Sequence, residues 1–349
     1  MAGSVTKKAA RGTLMVRGRV DLAMALVGIA GFLPAVPLVL GFLGSWHPAF
    51  DSMSHFRLHF AAAMVVAGLV LLASPTWRTN GMLMIVLAAF AGGVTLWPAW
   101  QAGRAVAAHG EAGARYRLIQ LNLRFDNPRP ETVIGMLTRE RPDLVTLEEV
   151  SARWVAHLAD ALQNEFPYRL VCPTHSYLGG IALLSRHPLR YGPDACRRAD
   201  RFVTAAVELD GRAIQIAAVH LGWPWPFGQD RQVARLVPTL ARMDDDALLA
   251  GDFNAAPWSR TVRAIAQAGE LSLGPWAGPS YLDRRLPAWL RPLAGLPIDH
   301  AMSKGIVTID DVRRLDFVGS DHLPLMVKFH LEASGNLPPA DASLASLSQ

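Results

Sequence analysis

Residues 81–100 carry no charged side chain, and residues 20–43 carry only Asp21, at their edge. A bilayer core about 30 Å thick takes roughly 20 apolar residues in a helix, so each run is long enough to cross one. A shorter apolar run at 58–73 reaches that length if it extends from Phe56 to Trp77. Trp46, Trp77, Trp97 and Trp100 fall near the ends of these runs, where amphipathic rings settle at a membrane interface. The pattern predicts about three transmembrane helices, near 20–43, 56–77 and 81–100, with two as the alternative. A cleaved signal peptide does not account for the first run, which is too long for one and is followed by two more.

Lys7, Lys8, Arg11, Arg17 and Arg19 precede the first run, whereas the loop after it holds only Arg57. The positive-inside rule puts the N-terminus in the cytoplasm. Three spans then deliver everything after Gln101 to the opposite face, which in a bacterium is the periplasm. The same basic residues, with no acidic residue among positions 1–19, account for the whole formal net charge of +5. The rest of the chain is neutral overall, which argues against a strong, nonspecific nucleic-acid binder. Cys172 and Cys196, both in the exported half, could pair as a disulfide there. Neither stands in a metal-ligand spacing such as C-x-x-C.

The chain divides into a basic tail (1–19), a membrane region (20–101), a linker (102–115), a catalytic domain (116–331) and an Ala-, Ser- and Pro-rich tail (332–349) of disordered composition. Within 116–331, short apolar strands alternate with turns and helices. Asp210-Gly211 between 202–209 and 213–220 is a strong hairpin signal. Residues 306–318 read as a strand pair or one long strand. Polar residues recur at the ends of these apolar runs: Asn122, Glu149, His220, Asp252, Asn254, Asp299, Asp321 and His322. One such residue ordinarily caps a helix or closes a turn. So many at successive strand ends are hard to attribute to capping. Asp252 and Asn254, two apart, face the same side of an extended backbone while Phe253 turns into the core.

The order Leu121-Asn122, Leu147-Glu148-Glu149-Val150, Gly180 to Arg186, Val219-His220-Leu221, Gly251-Asp252-Phe253-Asn254, Ile298-Asp299-His300 and Ser320-Asp321-His322 resembles the endonuclease/exonuclease/phosphatase superfamily. The resemblance covers about 116–329. It implies an α/β (α+β) four-layer sandwich of two packed mixed β-sheets flanked by helices. It also implies a Mg²⁺-dependent phosphoesterase, with Mn²⁺ as a substitute, acting on a phosphodiester in nucleic acid or a phospholipid headgroup. Glu149 matches the family's metal-binding glutamate, with Asn122 and Asp321 completing or supporting the site. Glu148 takes the more variable preceding position. Asp252 would orient or deprotonate the attacking water, and Asn254 would hold a phosphoryl oxygen. His322, ion-paired to Asp299, would contact the phosphate, and His220 would donate to a phosphate oxygen or the leaving group. His300 is given no role.

The chemistry is consistent with the resemblance. Phosphodiester hydrolysis needs positive charge around the equatorial oxygens and a water held in line, and clustered carboxylates need a cation. A non-enzymatic alternative is a degenerate, membrane-anchored module that binds a phosphate ligand. Trp223, Trp225, Trp258, Trp276 and Trp289 either face a substrate or membrane or simply pack their loops. Arg284, Arg285 and Arg291 either hold phosphates or form a solvated loop. The lipid bilayer and a phosphoester substrate are the expected partners, and nothing in the sequence calls for an obligate protein partner.

Overall fold

A computed structural model of the protein describes residues 18–109, 116–174 and 176–332. Most of the basic N-terminal tail, the end of the linker and nearly all of the C-terminal tail lie outside the described residues. The chain splits into two compact units, residues 1–98 and 99–349.

The first unit is helical. Gly18–Gly41 and Arg78–Pro98 are long and apolar enough to cross a membrane. The middle run is not one straight helix: Pro48–Ser54 and Arg57–Leu72 meet at a 58° bend, so the spans number two, or three if the bent pair counts as one. Arg57, at the bend, is buried; its guanidinium donates to the Gly41 carbonyl and sits 3.9 Å from the centre of the Phe42 ring. The carbonyl and the ring face offset part of the cost of burying that charge. Helices Arg57–Leu72 and Arg78–His109 approach closely where Gly68 faces Gly81: a Cβ on either would press on the other's carbonyl oxygen. Small residues permit such contact between membrane helices. Only 17% and 28% of the two apolar windows are buried within the protein, so most of their side chains face outward. The last helix runs on to His109, eight residues into the stretch read as linker, because Gln101 to His109 is alanine-rich.

The second unit is built on two mixed sheets. The first has the order β12 (Val307–Arg314), β13 (Leu325–Leu331), β1 (Tyr116–Asn122), β2 (Leu144–Val150), β4 (Gly180–Ser185), β3 (Tyr168–Cys172). The second has β10 (Ser272–Leu273), β11 (Asp299–Lys304), β9 (Ala247–Asp252), β8 (Arg212–His220), β7 (Phe202–Leu209), β5 (Leu189–Arg190), with β6 (Cys196–Arg197) also on β7. Each sheet's central pair, β1–β2 and β8–β9, is parallel. Parallel neighbours buried on both faces need continuous apolar sequence, which Leu118-Ile119 and Ala247-Leu248-Leu249-Ala250 supply.

Three apolar clusters show the layering. Leu118, Leu183, Ile216, Leu248 and Phe329 fill the space between the sheets. Ile119, Leu121, Val145 and Leu147 pack beneath Val133, Leu137, Trp154 and Leu158 from helices Pro130–Glu140 and Ala152–Leu162. Ala217, Val219, Leu249 and Phe253 pack beneath Leu236, Leu240, Val262 and Ile265 from helices Gln229–Leu240 and Arg260–Gly269. Alternation along each strand thus sends one face to the other sheet and one to a helix layer, giving the four-layer sandwich.

Asp210 (φ 51°) and Gly211 (φ 74°) take the two left-handed positions of the β7–β8 turn, as the Asp-Gly pair predicts. The stretch 306–318 holds a single strand, β12 (Val307–Arg314), and Gly305 (φ 68°) marks where the chain leaves β11 in one sheet for β12 in the other. The two-residue strands β5, β6 and β10 are too short to carry a readable alternation. Cys172 and Cys196 form a disulfide, their Cα atoms 5.5 Å apart.

Candidate active site

Parallel pairing aligns strand ends. On β1 and β2, Asn122 is level with Glu148; on β8 and β9, His220 is level with Asp252; Asp299, opening β11, pairs with Asp252 from the other side. Gly251 makes this register possible, since a Cβ there would collide with the Val219 carbonyl oxygen. The two sheets then meet through polar side chains. Asn122 Nδ2 donates to Asp252 Oδ2 at 3.0 Å, and Gln120 Nε2 donates to Asp299 Oδ1 at 2.9 Å.

Asp252 is the hub. Its Oδ1 accepts the Asn254 backbone N–H at 2.8 Å, and Oδ2 lies 3.5 Å from His220 Nε2 and 3.7 Å from His322 Nε2. His322 Nδ1 is 2.8 Å from Asp299 Oδ2. Ser320 sets this corner: its hydroxyl donates to the Asn122 carbonyl (2.7 Å) and accepts the His322 N–H (3.0 Å). Asn254, at φ 45°, turns the chain so that its amide reaches the Leu221 carbonyl at 2.8 Å. Glu149 has φ 57° at a bulge in β2. A side chain there costs on the order of 1–2 kcal/mol. The bulge points Glu148 between the sheets and Glu149 toward solvent, where it accepts from the Phe125 N–H (3.0 Å) and Asn122 (3.3 Å).

These residues surround a cleft of about 600 Å³. Asn122, Glu149, His220, Asp252, Asn254, Asp321 and His322 line it; Asp299 stands behind His322. His300 lies apart, bonded to the Ala255 carbonyl at 2.8 Å and packed on Phe253, so it belongs to the core. Trp258, largely buried, stacks edge-on with Trp276, whereas Trp223 and Phe227 sit exposed on the cleft rim.

The electrostatics separate the roles available to each group. Burial opposes the charge on His322, but Asp299, Asp252 and Asp321 outweigh it and push its pKa up to about 10. Burial, the Arg201 guanidinium and His322 hold His220 down at about 3, so it is neutral. Burial, reinforced by Asp299, raises Asp252 to about 7 against the pull of His322. Asp299 is buried too, yet His322 keeps it below the usual carboxylate range. Glu148, wholly buried beside Asp299 and Asp252, is raised well above that range. Burial also raises Glu149, against its hydrogen bonds from Phe125 and Asn122.

Two carboxylate groupings are candidates for a cation. Ligand atoms of Asp252, Asp299 and His322 lie within 4.8 Å of one another. His322 Nδ1 already pairs with Asp299 at 2.8 Å, and its proton supplies the positive charge between the two aspartates. Glu149 and Asp321 fit better. Both face the cleft, and the Asp321 carboxylate makes no hydrogen bond or ion pair among the described residues. An all-oxygen set in an open cleft suits a hard cation that keeps several waters. Asn122 is turned so that its NH₂ faces the carboxylates while its Oδ1 accepts the Arg124 N–H at 3.0 Å.

A family model described as "Endonuclease/Exonuclease/phosphatase family" matches residues 119–322, more than half of the chain. The chain belongs to the endonuclease/exonuclease/phosphatase family. Members of this family are phosphoester hydrolases, and the protein is an enzyme of that kind. No curated protein matches it in sequence. Among solved structures it is similar to an endonuclease/exonuclease/phosphatase protein from Beutenbergia cavernae (20% identity, 62% of this chain and 72% of that one, TM-score 0.48). It is also similar to the human Nocturnin catalytic domain (19%, 62% and 94%, TM-score 0.47) and to sphingomyelinase C from Streptomyces griseocarneus (13%, 61% and 98%, TM-score 0.45).

Several site residues of this family member escape the strand-end pattern. Gln120 bridges Glu148 (3.0 Å) and Asp299; it lies two before Asn122 on the same face of β1, so alternation alone could have found it. The Ser280 hydroxyl accepts the Asp299 N–H at 3.2 Å, and Tyr281 packs edge-on against His322, their rings 5.3 Å apart. Arg201 lines the cleft near His220 and makes no side-chain hydrogen bond or ion pair among the described residues. Nothing local in the sequence marks these three.

Proposed function

We propose that the protein is a membrane-anchored phosphodiesterase that uses a divalent cation, Mg²⁺ or Mn²⁺, to hydrolyse a phosphodiester of nucleic acid or a phospholipid headgroup. The observation that carries this reading is Asp252. It is an aspartate held by an asparagine from the opposite sheet, flanked by a neutral and a protonated histidine, on the floor of a cleft whose walls carry the Glu149 and Asp321 carboxylates. Asp252 accepts a proton from water as the water oxygen attacks phosphorus and the bond to the leaving oxygen breaks. Its raised pKa suits a base working near neutral pH. His322, kept charged and aimed by Asp299, bonds a phosphoryl oxygen, while the Asn254 amide, which donates to the Leu221 carbonyl and to Asp252, helps to hold Asp252 in place. Neutral His220 donates a hydrogen bond to a phosphate oxygen or to the leaving group. Glu149 and Asp321 would hold the cation, with Asn122 fixing Glu149. The bound ion would offset the charge that builds on the phosphate oxygens.

In this reading the N-terminal helices cross a membrane, a bacterial inner membrane, three times. The N-terminus is cytoplasmic and the catalytic unit periplasmic. The basic residues before the first span support the orientation, and the Cys172–Cys196 disulfide suits an oxidising compartment. A reporter fused after His330 that works only in the cytoplasm would overturn the orientation.

The test of function is an assay of the purified full chain on DNA, RNA, phospholipids and phosphomonoesters with Mg²⁺, Mn²⁺ or EDTA. Cation-dependent diester hydrolysis that EDTA abolishes is the expected result. Hydrolysis that survives EDTA, or no hydrolysis of any diester, would overturn the proposal.

A further inference from the structure

A second hollow, of about 260 Å³, is lined by Pro128, Arg129, Arg284, Arg291, Phe317 and Gly319. Half of that lining is arginine, and none of it is acidic. Arg129 and Arg284 make no side-chain hydrogen bond or ion pair among the described residues, and both are exposed. Arg291 spends its donors on the carbonyls of Leu286 (2.9 Å) and Arg284 (3.1 Å), which shape the loop without neutralising charge. The neighbouring acid, Asp283, is already engaged by Arg285 at 3.1 Å. Two arginines of the 284–291 loop and one from a segment far away in sequence line the same hollow, and no carboxylate lines it with them.

The hollow and the catalytic cleft are built from the same three segments. Asn122 and Asp126 line the cleft just ahead of Arg129; Tyr281 lines it just ahead of Arg284; Asp321 and His322 line it just after Gly319. The segments are cross-bonded: Leu282 N–H donates to the Asp321 carbonyl at 2.7 Å, and Asn127 Nδ2 to the Val318 carbonyl at 3.3 Å. A group bound in the hollow is therefore held in fixed relation to the catalytic histidine.

We propose that Arg129, Arg284 and Arg291 form a second phosphate subsite, which binds a phosphate of the substrate other than the one that is cleaved. This rests on the reading of the cleft as a phosphodiesterase site. Guanidinium forks match phosphate oxygens in pairs, and unlike lysine they stay charged at any working pH. Phe317, also in the lining, supplies an apolar wall for the substrate carbon next to the bound phosphate. The enzyme accordingly favours substrates with a second phosphate, whether along a nucleic-acid strand or on a polyphosphorylated lipid headgroup, over an isolated diester.

The probe is inorganic phosphate, titrated calorimetrically into the full chain in detergent. Two sites are expected, and the double variant Arg129→Gln/Arg284→Gln should lose one of them. An unchanged number of sites, or no phosphate binding, overturns the subsite. In parallel, the double variant should raise KM by at least about tenfold for a 5′-phosphorylated dinucleotide or for phosphoinositide vesicles, whichever the enzyme cleaves. KM for bis(p-nitrophenyl) phosphate should move far less. An equal change for both kinds of substrate also overturns it. If no diester is hydrolysed but the variant still loses a phosphate site, the catalytic reading fails and the subsite stands.

Discussion

Asn122 Nδ2 donates to Asp252 Oδ2 at 3.0 Å, and this bond ties the end of β1 in one sheet to the end of β9 in the other. The same amide reaches Glu149 at 3.3 Å. One carboxamide therefore holds the proposed base and the proposed cation ligand in register across the sandwich.

Replacing Asn122 with Ala leaves two carboxylates short of a donor in a largely buried setting. The expected loss of stability is about 1–3 kcal/mol. A fall in kcat should accompany it, because Asp252 and Glu149 are no longer fixed relative to each other. Chemical denaturation and steady-state kinetics check both; wild-type stability together with wild-type kcat would refute the bridging role.

Asp252→Asn keeps the shape of the site and removes the base. The expected drop in kcat is about 10²–10⁴-fold. Thermal stability should hold or rise, because a buried carboxylate whose pKa is already raised is replaced by a neutral group. A variant within tenfold of wild-type kcat would exclude Asp252 as the base.

The pH profile should be bell-shaped. Activity rises as Asp252 loses its proton, near 7, and falls as His322 loses its proton, near 10. For stability the signs are separate. The folded pKa of His322 lies above its unfolded value of about 6.5, so its contribution is complete below 6.5 and disappears as pH climbs toward 10. His220 is depressed to about 3, so the folded state loses ground as pH falls from 6.5 toward 3. His322→Gln should remove the alkaline limb of the stability profile and His220→Gln should soften the acid one, both read from denaturation midpoints against pH.

Reducing the Cys172–Cys196 bridge, whose cysteines are 24 residues apart, should cost about 3 kcal/mol through the freedom returned to the unfolded chain. Denaturation with and without reductant, and of the Cys172→Ser/Cys196→Ser variant, measures it. Equal midpoints would show that the bridge adds nothing.

Much of this enzyme was legible in its residues. Uncharged runs of bilayer length, the Asp210-Gly211 turn and the apolar strands ending in Asn122, His220 and Asp252 follow from local chemistry: hydrophobic period, backbone permissiveness and polar termination. What sequence could not state is which distant ends would touch. Gln120 meets Asp299 across 179 positions, and Ser280 supports Asp299 from a loop with no regular period. Glu148 and Glu149 are chemically alike, and only the bulge in β2 sends one into the interior and the other into the cleft. The break at Arg57 likewise depends on a buried cation finding the Gly41 carbonyl and the Phe42 ring. Local sequence determined the elements and the residue types at their ends; packing two twisted sheets face to face decided which side chains share a proton, because register and burial arise only once both sheets are in place.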